Sequence, residues 1–499
     1  MKFWKSFVLL LIVLMCPLAI SQEAGEGAAA VPPEQAPTDQ EAALQTPAIP
    51  APPAADEKQL SILRYGTETE IANLIQVLKT NKDSSLDSEL ITLTKSSKNK
   101  TILTGIFAFF GDMEKPGLEE RAIRIIDERD DEANETVLAA VNYLGHVKSN
   151  EAIEPLENLI NSGESRFLNA AIRALGRAGK GGEGADDTAK YLLDYYSERN
   201  PNNEDQREII VALGETGSKE VVAFLSDLIK DTEERAVLRM AALESLSKIG
   251  DHGGLPAIIE AVSSADPNVR SSAIAALGPF EGEEADKAIL EGFRDSYYRT
   301  RIGAAQAAGK RKLEAAVPYL KFRAENDDVP NAKDEAIRAL GSIGNSEAMG
   351  ILDALFAERK NSDRVRILAG EMLLKNDALN YTGKVIVELD DSKNRKQTAL
   401  YNGFLRILGP GQAPSLEALA KRFLASGTVI EKSYALDMIL NNEFKDLAPE
   451  MRILLDEKKN NASIARKARA TLEKLGLDAD PQAQAQTQEP PAGQSPEAL

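Results

Sequence analysis

Apolar residues recur along this chain at helical spacing, most clearly in Asp266–Gly278, DPNVRSSAIAALG. Val269, Ala273, Ala276 and Leu277 share one face of an amphipathic helix. Asp266 is a favourable N-cap, Pro267 suits the first helical position, and Gly278 is able to stop the helix. Aligned on that final Gly, the pattern returns with anchors at Gly111, Gly145, Gly176, Gly214, Ser247, Gly278, Gly309, Gly341, Leu374, Gly409, Asn441 and Glu473. The eleven intervals span 362 residues, a period of about 33, in the range of stacked helical repeats. Leu precedes the anchor at ten of the twelve positions. Ala stands five before it at Ala140, Ala171, Ala242, Ala273, Ala304, Ala336, Ala369 and Ala468.

Each period predicts two helices. The first is seen in Ala152–Ile160, Leu255–Val262, Ala316–Phe322 and Pro414–Leu424. Pro recurs near its start, at Pro155, Pro256, Pro318, Pro414 and Pro449, where the first turn loses no hydrogen bond to it. The second helix carries the Ala and Leu of the anchor pattern. Small Ala lets neighbouring helices approach closely, and Leu fills the shared core. This predicts an all-α fold: an α-solenoid, a right-handed superhelix of about 12–13 helix pairs. The least regular stretch is Lys58–Phe110, where Gln59–Tyr65, Glu70–Lys79 and Ser88–Leu93 read as helical. The 45 residues from Gly66 to Gly111 predict an extra helix or an atypical capping repeat.

These residues resemble HEAT repeats, most closely the short type also found in phycobilisome-lyase-like proteins. That type has a Pro-bearing first helix followed by D-x-x-V-R-x-x-A-x-x-A-L-G. Asp266–Gly278 matches it closely, and Asn331–Gly344 and Glu164–Gly179 match well. The resemblance covers residues 58–477 and implies protein binding and assembly rather than one defined activity. Chromophore lyases with these repeats handle a bilin and a Cys-bearing protein inside the cell, a setting an exported chain does not share.

The two ends read differently. Lys2 and Lys5 precede an apolar run, Phe7–Met15, and Ala19-Ile20-Ser21 forms a small-residue site. This is the pattern of a signal peptide, residues 1–21, cleaved after Ser21. Two other readings stay open. Phe7–Ile20 is an apolar anchor, although short against a span of about 20 residues. Cys16 is a lipid attachment site, although Met15 is not the small residue such signals want. Cleavage removes the only Cys and the only Trp, Cys16 and Trp4, so thiol and redox chemistry are excluded from the mature chain. Residues 22–57 hold seven Pro, seven acidic residues and no base, the composition of a disordered linker. Residues 478–499, with four Pro and four acidic residues, read as a disordered acidic tail.

Hydrophobic residues make up 43% of the chain but aromatic residues only 5%, which suits closely packed Ala/Leu helices. Of the net charge of −19, the signal contributes +2 and the two tails −7 and −4, leaving −10 for residues 58–477. An acidic body disfavours nucleic acid and anionic membrane surfaces. The expected partners are proteins, with no membrane span in the mature chain.

Five bases stand eight residues before the anchor in consecutive repeats: Arg239, Arg270, Arg301, Lys333 and Arg366. In similar repeats such a base ties to an acid of the neighbouring unit, an internal ladder. The other reading is a stripe for an acidic partner. Beside Arg301, Arg299 offers an alternative base. Tyr195-Tyr196 and Tyr297-Tyr298, with Tyr191 and Tyr319, are exposed anchors or gap fillers at helix ends. Gly179–Asp187 (GKGGEGADD) lacks the GK[ST] spacing of a phosphate loop and reads as an inserted rim loop. His146 and His252 are the only histidines, and neither precedes Glu. Deoxyhypusine hydroxylase, a HEAT-like enzyme, needs several His-Glu pairs for its di-iron site. No catalytic, metal or cofactor residues are therefore expected, and the runner-up reading is a lyase- or hydroxylase-related enzyme or ligand carrier.

Overall fold

A computed structural model describes residues 56–181, 184–199 and 201–478. The Ser21 cleavage site, Cys16, nearly all of the 22–57 segment and residues 479–499 lie outside the described residues, as do 182–183 within the Gly179–Asp187 loop. Among the described residues there are 26 α-helices, five short 3-10 turns and no strand. The helices run in pairs: α1 (Glu57–Tyr65) with α2 (Glu68–Asn81), α3 (Asp87–Ser96) with α4 (Lys100–Asp112), α5 (Glu119–Asp127) with α6 (Asn134–His146), and α7 (Ile153–Asn161) with α8 (Ser165–Ala178). Next come α9 (Ala185–Arg199) with α10 (Asn203–Thr216), α11 (Val222–Lys230) with α12 (Ala236–Ile249), α13 (Leu255–Ala261) with α14 (Pro267–Ala276), and α15 (Glu283–Gly292) with α16 (Tyr298–Arg311). The last five are α17 (Val317–Asn326) with α18 (Pro330–Ile343), α19 (Ser346–Ala357) with α20 (Asp363–Asn376), α21 (Ala378–Asn394) with α22 (Thr398–Leu408), α23 (Leu416–Ser426) with α24 (Val429–Asn442), and α25 (Ala448–Ile453) with α26 (Ala462–Lys474).

The thirteen pairs stack in two layers, an α-solenoid. Even-numbered helices pack on one another in an unbroken series from α2 to α26, least extensively between α22 and α24. Odd-numbered helices touch their own partners well but their odd neighbours less. One continuous core runs between the layers, built mainly from Leu, Ile and Ala. The closer spacing of the even layer has a steric cause. A Cβ added at Gly176 would lie 2.8 Å from the Cα of Ala212. At Gly145 it would lie 2.7 Å from the Cα of Ala174, and at Gly214 2.6 Å from that of Ser245. Each of these contacts is the residue two before the next anchor. The anchor glycine is therefore the point where one even helix touches the next.

The expectation that Gly278 stops its helix holds to within two residues, since α14 ends at Ala276. Gly409 likewise follows the last residue of α22, but Gly111, Gly145, Gly176, Gly214, Gly309 and Gly341 lie inside their helices. Termination falls to later residues, such as Gly217 and Gly344, whose φ values of 72° and 64° give the left-handed C-cap that lacks a penalty only in glycine. Starts follow the sequence more directly. Asp266 accepts from the amides of Asn268 and Val269 at 2.7 and 3.4 Å, and Pro256, Pro267, Pro318, Pro330 and Pro449 occupy the first helical positions. Pro414 instead lies ahead of α23. The irregular N-terminal stretch is two ordinary pairs. Its extra helix is α2, an even-layer helix without the Ala-Leu-Gly signature, while α1 caps the stack with no residue fully buried. No described helix is long and apolar enough to cross a membrane.

Candidate functional site

The five-base register begins the even helices on the side facing the odd layer. Arg301 is the most fully engaged: its Nε and Nη2 donate to Asp327 at 2.7 and 2.8 Å, and Nη2 also reaches Asp328 at 2.9 Å. Its Nη1 donates to the carbonyls of Asp295 and Ser296, both at 3.1 Å. The Asp327 side chain is 0% exposed. Burial alone would raise its pKa, but the bonds from Arg301 and the Val329 amide outweigh this and hold it below the usual range. Arg299, the rival base, is exposed and donates from Nε to the Tyr298 hydroxyl at 3.2 Å instead. Arg270 repeats the motif one pair earlier, bidentate to Asp295 at 2.8 and 3.1 Å. Arg366 donates to the Phe356 carbonyl at 2.9 Å and to Glu388 of α21 at 2.6 Å.

The other two bases do not meet an acid of the next pair. Arg239 is buried and donates to the Ile229 carbonyl at 2.9 Å, and Lys333 to the Glu325 carbonyl at 2.9 Å. The cause lies in the next repeat. Asp295 and Asp327 both stand fourteen residues before their anchors, where the repeats following Arg239 and Lys333 have Ser264 and Lys360. That second column of the register was legible in the sequence beside the bases, 25 to 29 residues downstream of each. It separates Arg270 and Arg301 from Arg239 and Lys333; Arg366, whose column residue is Arg395, finds Glu388 outside that column instead.

Other charges are consumed in the same way between adjacent pairs: Lys79–Asp112 at 2.7 Å, Arg173–Glu208 at 2.8 Å, Lys384–Asp353 at 2.8 Å and Lys467–Asp437 at 2.7 Å. Glu431 of α24 is held by groups of the preceding pair as well as by its own N-cap. Burial opposes its ionisation, but hydrogen bonds from Lys393, Tyr401 and Thr428 prevail and lower its pKa to about 2. What remains open on the even layer is a set of grooves between successive helices. One of about 310 Å³ lies between α12 and α14, with Val237, Met240 and Glu244 on one wall and Ser272 and Ala275 on the other. Others of about 400 and 530 Å³ lie along α2/α4 and α20/α22.

The model of the spirochaete HEAT-repeat protein family matches residues 63–471. The chain belongs to that family. A 100-residue stretch is 33% identical to deoxyhypusine hydroxylase of Schizosaccharomyces pombe, covering 20% of this HEAT-repeat chain and 30% of that relative's length. Among solved structures, human deoxyhypusine hydroxylase with glycerol is similar at 19% identity over 54% of this chain and 99% of that one, with a TM-score of 0.24. Kap121p is similar at 11% identity over 84% of this chain and 51% of its own, TM-score 0.40. Importin beta gives 13% identity over 84% and 76%, TM-score 0.37.

In this HEAT-repeat chain the two histidines take packing positions. His146 is the last residue of α6, and its ring lies against Gly111 of the preceding even helix. His252 sits in a 3-10 turn, edge-on to Phe280 at 5.8 Å. Among the described residues no group of three or more His, Cys, Asp and Glu is placed to hold a metal ion. The tyrosines bridge repeats rather than stand free. Tyr191 donates to the Glu157 carbonyl at 3.2 Å, Tyr196 meets Phe224 edge-on at 5.3 Å, and the Tyr297 hydroxyl donates to Asn268 at 2.9 Å. Tyr195 and Tyr196 lie within α9, not at its end, and Asp186 and Asp187 already belong to its first turn, so the rim loop is shorter than its sequence suggested.

Proposed function

We propose that this HEAT-repeat chain is an exported, non-catalytic scaffold for protein–protein interaction. One observation carries the reading: thirteen stacked pairs tie many of their charged side chains to adjacent pairs and leave three open grooves along the even layer. Grooves lined by small, apolar and a few charged residues suit a protein surface laid along the stack better than an enclosed small molecule. Export rests on the Lys2/Lys5, Phe7–Met15 and Ala19-Ile20-Ser21 pattern. Intact mass of the native protein should show a chain beginning at Gln22. A lipid on Cys16 or a retained Met1 would contradict that part of the reading.

A second reading, an enzyme or ligand carrier, is favoured by the 33% identity to deoxyhypusine hydroxylase over 100 residues. The short lyase-like form of the repeat points to the same class through bilin handling. Two isolated histidines without a following Glu are a poor donor set for a di-iron centre. Elemental analysis and an absorption spectrum of the purified full chain separate the readings. The scaffold predicts neither stoichiometric metal nor a visible chromophore, and stoichiometric iron or bound pigment would overturn it.

A further inference from the structure

The odd layer carries an apolar groove with a basic rim. Tyr319 and Phe322 of α17 lie three residues apart and so share a helix face. Tyr319 stacks on Phe293 of the preceding pair at 5.7 Å and 27°, and Phe322 is 55% exposed. The Arg294 guanidinium lies 5.4 Å from the Tyr319 ring, and that of Arg323 lies 5.3 Å from Phe322. With exposed Pro318 they line a groove of about 370 Å³. The nearby Asp327 is committed to Arg301, which leaves Arg323 only a long contact of 3.6 Å. Arg294 pairs with Glu291 on the exposed surface at 2.7 Å, a kind of pair that exchanges partners at little cost.

Aromatic ridges with cations at their rim fit one ligand chemistry in particular: an extended, proline-rich, acidic peptide. Proline rings pack on aromatic faces, and the polyproline conformation loses little entropy on docking. The chain carries such a sequence in Thr487–Glu497, TQEPPAGQSPE, which has three Pro, two Glu and no base. Its point of departure also fits. Arg452 of α25, in the same odd layer, donates to the Asp478 carbonyl at 3.0 and 2.9 Å. From the thirteenth pair to the ninth is four steps of roughly 8–10 Å, or about 32–40 Å. Pro490 lies twelve residues past Asp478, a reach of about 37 Å at the polyproline rise.

We propose that Thr487–Glu497 docks in cis on the Tyr319–Phe322 groove, with Pro490-Pro491 against the two rings and Glu489 beside the arginines. The test uses the full-length protein with a photoreactive benzoylphenylalanine at position 322, exposed enough to leave the fold intact. Irradiation followed by peptide mapping should find the crosslink in the 487–497 peptide, with a yield unchanged over about a hundredfold dilution. Glu489→Lys combined with Pro490→Gly and Pro491→Gly should lower that yield at least about tenfold while the melting temperature stays the same. A yield that falls with dilution would place the segment on a second copy and overturn docking in cis. A crosslink to residues 22–55 would assign the groove another occupant, and no crosslink, with an unshifted melt, would leave it none; either result overturns the proposal.

Discussion

At the scale of single residues, the five bases divide by what they would leave behind. Arg301→Ala strands Asp327, a carboxylate with no exposed surface, and losing one partner of a buried pair costs about 3–5 kcal/mol. Arg323 offers Asp327 partial compensation at 3.6 Å, which puts the expected cost at the lower end. Arg239→Ala removes only a bond to a carbonyl, about 1–2 kcal/mol. Thermal melts should rank Arg301→Ala below Arg270→Ala and Arg366→Ala, with Arg239→Ala least affected; equal shifts would mean that the acid partners add nothing. Glu431 supplies a pH test. Its pKa is depressed from about 4.5 to about 2, so its stabilisation is present above the ordinary carboxylate range and is lost as pH falls through that window. Glu431→Gln should lower the melt at neutral pH and flatten its dependence between those values. The bases were legible as a column in the sequence. So was the Asp, Ser or Lys fourteen residues before the following anchor, which divides four of them; the pairing of Arg366 was not, because Glu388 stands off that column.

The helices form the next scale, and their decisive residue is the anchor glycine. A glycine within an exposed helix ordinarily costs about 1 kcal/mol relative to Ala. Gly350 in α19 and Gly383 in α21 face open space, so Gly350→Ala and Gly383→Ala should each stabilise by roughly that amount. Gly176 should respond with the opposite sign. Its added Cβ would sit 2.6 Å from the Ala212 carbonyl oxygen, and overpacking of this kind costs about 1–3 kcal/mol. Melts of Gly176→Ala and Gly350→Ala shifting in the same direction would refute this account of the even layer. The period, helix types and most starts were readable from apolar spacing and capping residues. The role of the anchor was not, since Gly-after-Leu near a helix end reads locally as a stop. Only the neighbouring helix shows that the missing Cβ matters more than the backbone freedom.

Across the whole molecule, the stack turns repeated local rules into a continuous surface, and function depends on which part of that surface is unspent. The sequence located the repeats because each obeys the same spacing, and the family match over residues 63–471 agrees with the extent of that period. It did not locate the grooves, which arise between helices about 33 residues apart and have no local signature. The central claim is that the even-layer grooves receive a protein partner. Val237 is 45% exposed and lines the α12/α14 groove, so a photoreactive residue in its place reports on that surface directly. Irradiated in its native cells, a chain labelled at 237 should yield one dominant adduct with a defined second protein, lost when Met240→Glu narrows the groove and adds charge. The same label yielding no protein adduct, in a chain that purifies with stoichiometric metal or pigment, would contradict the account.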